Sequence, residues 1–216
     1  MKNKRKNLSQ NGYDQDGAEL HKLFTTIIYE TMLELDTESI ANHCLKIKKS
    51  TKSVYKTNVG GWQSHAFVHS INHSSLKTGD CPALDEMFAS IVKHANIFKD
   101  TFLFKHPLAL NNAWVSINSH RDYNVEHSHP HSFISGVYYV RVPVKSGAIR
   151  FFNPVSEIMQ RDWDAVERHK YNPYNCEHWT LIPENNKLFL FPSWLKHSVL
   201  PNFNKRERIS ISFNLR

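Results

Sequence analysis

Two chemistries are written into the spacing of a few polar residues, a metal centre and an anion grip. His127 and His129 alternate in His127-Ser128-His129-Pro130-His131. Along a strand, alternate side chains share a face, so these two imidazoles can aim at one point and take adjacent positions on a divalent metal. His131 would continue the row, but Pro130 interrupts strand pairing. A third ligand must come from another strand, and His197, beyond the turn Phe191-Pro192-Ser193-Trp194, is well placed in the chain for it. Because the chain has 14 histidines, the H-x-H spacing is weak evidence alone and gains weight from what lies downstream. Arg208 and Ser210 share one face of the alternating stretch Arg208-Ile209-Ser210-Ile211-Ser212-Phe213-Asn214. A guanidinium beside a hydroxyl forms a fork that can grip a carboxylate. The plainer alternative is a strand whose polar face meets solvent.

The elements that must carry these residues follow from periodicity. From about residue 110 the pattern becomes one of short strands, expected at 112–119, 133–142, 148–152, 177–182, 187–191, 197–200 and 206–215, with Gly, Pro and Asn between them. Upstream, a strand is expected over 23–29. A short helix is expected over 37–49, with acids at its start and lysines at its end, as the helix dipole prefers. A longer helix opens at Pro82, where Leu84, Met87, Phe88, Ile91, Val92 and Ala95 recur at helical spacing and form an apolar stripe for a sheet. Residues 155–176 read as a polar insertion or short helix capping a pocket. His65, His69 and His73 recur every fourth residue, but the serines and β-branched residues among them favour loop histidines over a metal pair. The sum is an α+β chain with a β-sandwich or barrel in its second half.

Composition sets the outer bounds. The chain has 216 residues, 40% of them hydrophobic and 12% aromatic, which is enough for one packed core. Cys44, Cys81 and Cys176 are odd in number and form no C-x-x-C pair, which disfavours a disulfide framework and suits a reducing, cytoplasmic setting. The formal charge of +7 is weighted toward Lys2, Lys4, Arg5 and Lys6, so residues 1–20 read as a flexible basic tail. No signal-peptide core or membrane-length apolar run is present in the sequence.

With these residues in view, the chain resembles the double-stranded β-helix (jelly-roll, cupin-like) oxygenases that use Fe(II) and 2-oxoglutarate, and within them the small oxygenases of phage and marine-bacterial type. The resemblance rests on Gly60-Gly61-Trp62-Gln63-Ser64, His127-Ser128-His129-Pro130, Ser135-Gly136-Val137-Tyr138-Tyr139, Phe191-Pro192-Ser193-Trp194, His197 and the 208–214 stretch. It implies a single oxygenase domain over 21–216, with helical support at about 36–104 and a β core at about 110–216. It implies His127, His129 and His197 as iron ligands, and Arg208 and Ser210 as the grip on the far carboxylate of 2-oxoglutarate. Asn118 is a further candidate contact, and either Tyr138 or Tyr139 could face the pocket. The implied reaction is oxidative decarboxylation of 2-oxoglutarate coupled to hydroxylation of a substrate the sequence does not name. His129 stands where relatives place an acid, so Glu126 or Asp122 could complete the site instead. Trp62, Trp114 and Trp194 suit a partly apolar lining, though a buried structural role is the plainer reading of each.

Three other classes compete. A cupin-like three-histidine metalloprotein would not use 2-oxoglutarate, but the Glu that usually follows H-x-H in cupins is missing at 131–134. A structural jelly roll, as in a virion, would leave the histidines incidental. A nucleic-acid-acting relative would use the basic tail, and nothing else in the charge pattern favours it. The expected partners are 2-oxoglutarate, O2 and the substrate, with no membrane. Exposed strand edges leave a homodimer open.

Overall fold

The computed structural model describes residues 21–68 and 81–216. The basic tail at 1–20 and the candidates His69 and His73 lie outside the described residues. Twelve strands and three helices follow in chain order: β1 (Tyr29–Met32), α1 (Thr37–Ser50), β2 (Asn58–Val59), β3 (Trp62–Gln63), β4 (Phe67–Val68), α2 (Pro82–Asp100), β5 (Leu110–Asn118) and β6 (Tyr123–His127). Then come β7 (Ile134–Arg141), β8 (Ile149–Phe152), α3 (Ser156–Trp163), β9 (His178–Leu181), β10 (Lys187–Pro192), β11 (His197–Val199) and β12 (Arg208–Leu215).

From β5 onward the chain passes back and forth between two antiparallel sheets, as a double-stranded β-helix does. The larger sheet runs β1-β10-β7-β12-β5-β3, with β4 also paired to β5, and the smaller runs β2-β6-β11-β8-β9. Period-two alternation assigns each face of the larger sheet. Ile134, Tyr138 and Val140 of β7, Leu188 and Leu190 of β10, and Ile209, Ile211 and Phe213 of β12 meet the helices. Val137, Tyr139, Phe189 and Phe191 turn the other way and pack with Ile149, Phe151 and Leu195 between the sheets. Covering both faces explains why the central strands read as near-continuous apolar runs.

The helices form where their sequences direct. Asp36 caps α1, accepting from the Ser39 backbone N–H at 3.0 Å, and Ile40, Ala41 and Cys44 face inward. Pro82 opens α2, which buries Leu84, Met87, Phe88, Ile91, Ala95 and Phe98. Both pack on the outer face of the larger sheet, giving the expected α+β arrangement. No helix among the described residues is long and apolar enough to cross a membrane.

Two expectations need correcting. The strand expected over 23–29 begins only at Tyr29, while Leu23 and Phe24 are exposed and Phe24 takes a left-handed φ of 55°. β1 pairs with Lys187 through Leu190 of β10, and that strand ends at Pro192, which has no N–H to extend the ladder. The expected lining of three tryptophans reduces to one: Trp114 faces the cavity, Trp62 packs toward the helices and Trp194 is 58% exposed.

Candidate active site

The smaller sheet brings two of the histidines together by register. His127 is the last residue of β6 and lies directly opposite His197, the first of β11, with ring centroids 4.3 Å apart. His129 follows in the loop after β6, where its backbone N–H donates to the Ser193 carbonyl at 2.9 Å. That contact places its ring beside the other two, at centroid distances of 5.1 Å from His127 and 5.0 Å from His197. One ring nitrogen from each of the three lies within 4.8 Å of the others.

The hydrogen bonds fix which nitrogen is available. His127 Nδ1 meets the Val125 carbonyl at 2.7 Å and His197 Nδ1 meets the Leu195 carbonyl at 2.9 Å. A carbonyl only accepts, so each Nδ1 carries the proton and each Nε2 presents a lone pair, the tautomer that metal-binding imidazoles adopt. His197 Nε2 and His129 Nε2 are 3.2 Å apart, a contact that a proton on His129 or a cation shared by the two rings can hold. Burial disfavours charge on all three: it lowers the His127 pKa, pushes His129 down to about 4 and His197 to about 3. The cluster is therefore neutral near pH 7, as metal ligation requires.

Neither neighbouring acid joins the cluster. Glu126 pairs outward with Lys196 at 3.1 Å, and an Asp122 carboxylate oxygen accepts from the Ser119 backbone N–H at 2.7 Å. His131 is exposed, with a left-handed φ of 66°.

The histidines sit in the wall of a cavity of about 520 Å³ between the sheets. Ser210 and Ser212 of β12, Asn112, Trp114 and Ser116 of β5, and Tyr139 of β7 supply the opposite wall. Strand phase thus chooses between the two tyrosines: Tyr139 lines the cavity, while the Tyr138 hydroxyl goes into the helix side and donates to Asn186 Oδ1 at 2.6 Å. The rim comes from the segment around β2 and β3, including Lys56, Thr57, Gln63 and His65. No acidic side chain is among the described residues of this lining.

Arg208 and Asn118 are buried and lie outside this lining. They are register partners on β12 and β5, next to the row in which Ser210 pairs with Ser116 and Tyr139. Arg208 is 1% exposed and its Nη1 donates to the carbonyls of Ser146, Gly147 and Leu200. Its Nε and the Asn118 Oδ1 have no partner, and no carboxylate among the described residues lies within ion-pair distance of the guanidinium. Burial pushes the Arg208 pKa down, with the Tyr139 and Asp122 side chains opposing the shift. A buried guanidinium with no carboxylate beside it is costly. Gly147 makes the carbonyl cradle feasible, since its left-handed φ of 85° brings it so close to the Leu200 carbonyl that a Cβ would not fit.

The structure brings the three expected histidines and Ser210 to this cavity but leaves Arg208 and Asn118 outside its lining, and sequence reasoning missed much of the wall. Ser116 and Ser212 were within reach, being two residues from Asn118 and Ser210 on the same faces. Lys56, Thr57 and Asn124 gave no signal, because β2 is too short to show a period.

Comparison with known proteins agrees with this architecture. A family model described as "Putative 2OG-Fe(II) oxygenase" matches residues 112–214, the span that contains all the site residues named above except those of the rim. A prolyl-4-hydroxylase structure from Pseudomonas putida superposes with a TM-score of 0.60 at 17% identity, over 90% of this chain and 94% of that one. A prolyl hydroxylase from Trichoplax adhaerens, in complex with a hypoxia-inducible-factor peptide fragment, gives 0.55 at 14% identity, over 89% and 85% of the two chains. HygX from Streptomyces hygroscopicus, with nickel and 2-oxoglutarate bound, gives 0.52 at 10% identity over 88% and 83%. At such identities the structures speak for the fold alone. No curated protein sequence matches this chain. Residues 112–214, slightly less than half of the chain, thus match the model of the putative 2OG-Fe(II) oxygenase family, within a fold that the solved hydroxylases share.

Proposed function

We propose that the protein hydroxylates a substrate C–H bond, with His127, His129 and His197 holding Fe(II) and with Arg208 and Ser210 holding the far carboxylate of 2-oxoglutarate. Fe(II) with 2-oxoglutarate and O2 would supply the oxidation, in which the 2-oxo acid leaves as succinate and CO2 and one oxygen atom enters the substrate. The chain's own residues bind, orient and exclude water. The Nδ1 hydrogen bonds to Val125 and Leu195 keep two Nε2 lone pairs aimed at one point. Tyr139, whose hydroxyl is pushed by burial up to about 12, stays a neutral hydrogen-bonding group in the cavity wall. Asn118, the register partner of Arg208 with its Oδ1 unpartnered, offers a further polar contact.

The observation that carries this reading is the neutral three-imidazole cluster in the wall of a cavity with Ser210 in its opposite wall, and Arg208 buried two residues from Ser210 on β12. We extend it to the whole of residues 21–216 acting as a single domain, since β1 to β4 from the first half of the chain complete both sheets. The unpaired, buried Cys44, Cys81 and Cys176 support a reducing compartment.

Anaerobic Fe(II) and 2-oxoglutarate should together give a weak visible charge-transfer band. His197→Ala should abolish it by removing a metal ligand. Arg208→Ala should raise the 2-oxoglutarate concentration needed for it by about a hundredfold, a loss of some 2–3 kcal/mol for a charged hydrogen-bonded grip. A band that survives Arg208→Ala at unchanged 2-oxoglutarate would move the cosubstrate grip elsewhere.

A further inference from the structure

The three histidines are not held alike. His127 and His197 each have a carbonyl on Nδ1 that fixes the ring's rotation as well as its tautomer. His129 has no such bond among the described residues. Its backbone is tied to Ser193, whose hydroxyl meets Ser135 Oγ at 2.7 Å in a buried chain that continues to Asn214 Oδ1. That arrangement sets where the His129 Cα lies but gives its Nδ1 no carbonyl, and within the cluster the ring meets only its fellow ligands, His197 Nε2 at 3.2 Å among them. From outside the cluster, what meets the ring is Trp114: the indole stacks on it with centroids 5.5 Å apart and planes 23° from parallel. Trp114 is itself fixed in the centre of β5, where it pairs with Ser212 and faces the cavity.

We propose that Trp114 is the positioning residue of His129, holding the imidazole plane by stacking where the other two ligands are held by carbonyls. This rests on the three-histidine metal reading. An aromatic face suits a flat neutral ligand, because offset stacking fixes the plane of a ring without competing for its nitrogens. A carboxylate at the same position would gain nothing from an indole face. Trp114 therefore belongs with His129 as a pair.

Ni(II) binding to the metal-free protein, followed by titration calorimetry, tests the pairing. Trp114→Leu keeps an apolar side chain without the π face and should raise the Ni(II) dissociation constant about tenfold, in the range of lost outer-sphere support. Trp114→Phe keeps a face and should stay within about threefold of the parent. In a His129→Asp background the same Trp114→Leu change should leave Ni(II) affinity unaltered, so the double-mutant cycle shows coupling. Equal losses in both backgrounds would make Trp114 a mere packing residue and overturn the proposal, as would an unchanged affinity for Trp114→Leu alone. His127→Ala and His197→Ala separate this from the underlying reading: if they too bind Ni(II) like the parent, the metal centre itself is misplaced.

Discussion

The cluster's histidines make the folded protein sensitive to acid in a definite direction. Burial lowers His129 from 6.5 to about 4 and His197 from 6.5 to about 3, whereas both take up a proton near 6.5 once unfolded. Between those limits the unfolded chain binds more protons than the folded one, so stability falls as pH falls from about 6.5. The loss is on the order of 1 kcal/mol per pH unit for each histidine until its folded pKa is reached. Melting temperatures of the metal-free protein should therefore decline from about pH 6.5 to about pH 4.5, and a His129→Gln/His197→Gln double variant should flatten that decline. An identical slope in the variant would assign the acid sensitivity to other groups. Bound metal competes with the same protons, so the holoprotein should begin with higher stability and lose it more steeply.

Among the elements, β7 carries the tightest constraint, because it is flanked by β10 and β12 and covered on both faces. Gly136 stands on its helix-side face, where an added Cβ would lie 2.5 Å from the Phe213 ring and 2.6 Å from the Phe189 carbonyl oxygen. Neither can withdraw without disturbing a neighbouring strand. Gly136→Ala should cost about 1–3 kcal/mol, read as a lower urea midpoint at an unchanged m value. If the midpoint does not move, β12 has room that its packing does not show. The long strands were legible because apolar alternation over eight or nine residues leaves little choice of register. β6 was not: Tyr123-Asn124-Val125-Glu126-His127 has one apolar aliphatic residue and no buried position. It is a strand because His127 and Asn124 have partners in β11 and β2. The same limit hid the choice between Tyr138 and Tyr139, since both phases of β7 are apolar and only the positions of the two cores distinguish them. His129 was legible by its spacing from His127, yet it lies beyond the strand that spacing suggested and reaches the cluster through Ser193.

For the whole molecule, the two sheets place the imidazole cluster in a cavity whose described lining has no acid, with Arg208 buried two residues from the Ser210 of that lining. Positive charge brought by a divalent metal would meet no protein counter-charge among the three neutral imidazoles. On the proposed assignment a dicarboxylate would answer both that charge and the one on Arg208. Affinities for the two should therefore reinforce each other, and by thermodynamic necessity by the same factor in either direction. Calorimetry should find that 2-oxoglutarate tightens Ni(II) binding by the ratio with which Ni(II) tightens 2-oxoglutarate binding, and that replacing His129 with Asp shrinks this ratio. Independent affinities would mean that the charges are screened from one another. Under the proposed assignment, iron content should follow nutrient supply: when the dicarboxylate runs short the metal would be held more loosely, so a wall without carboxylates would tie activity to two resources at once.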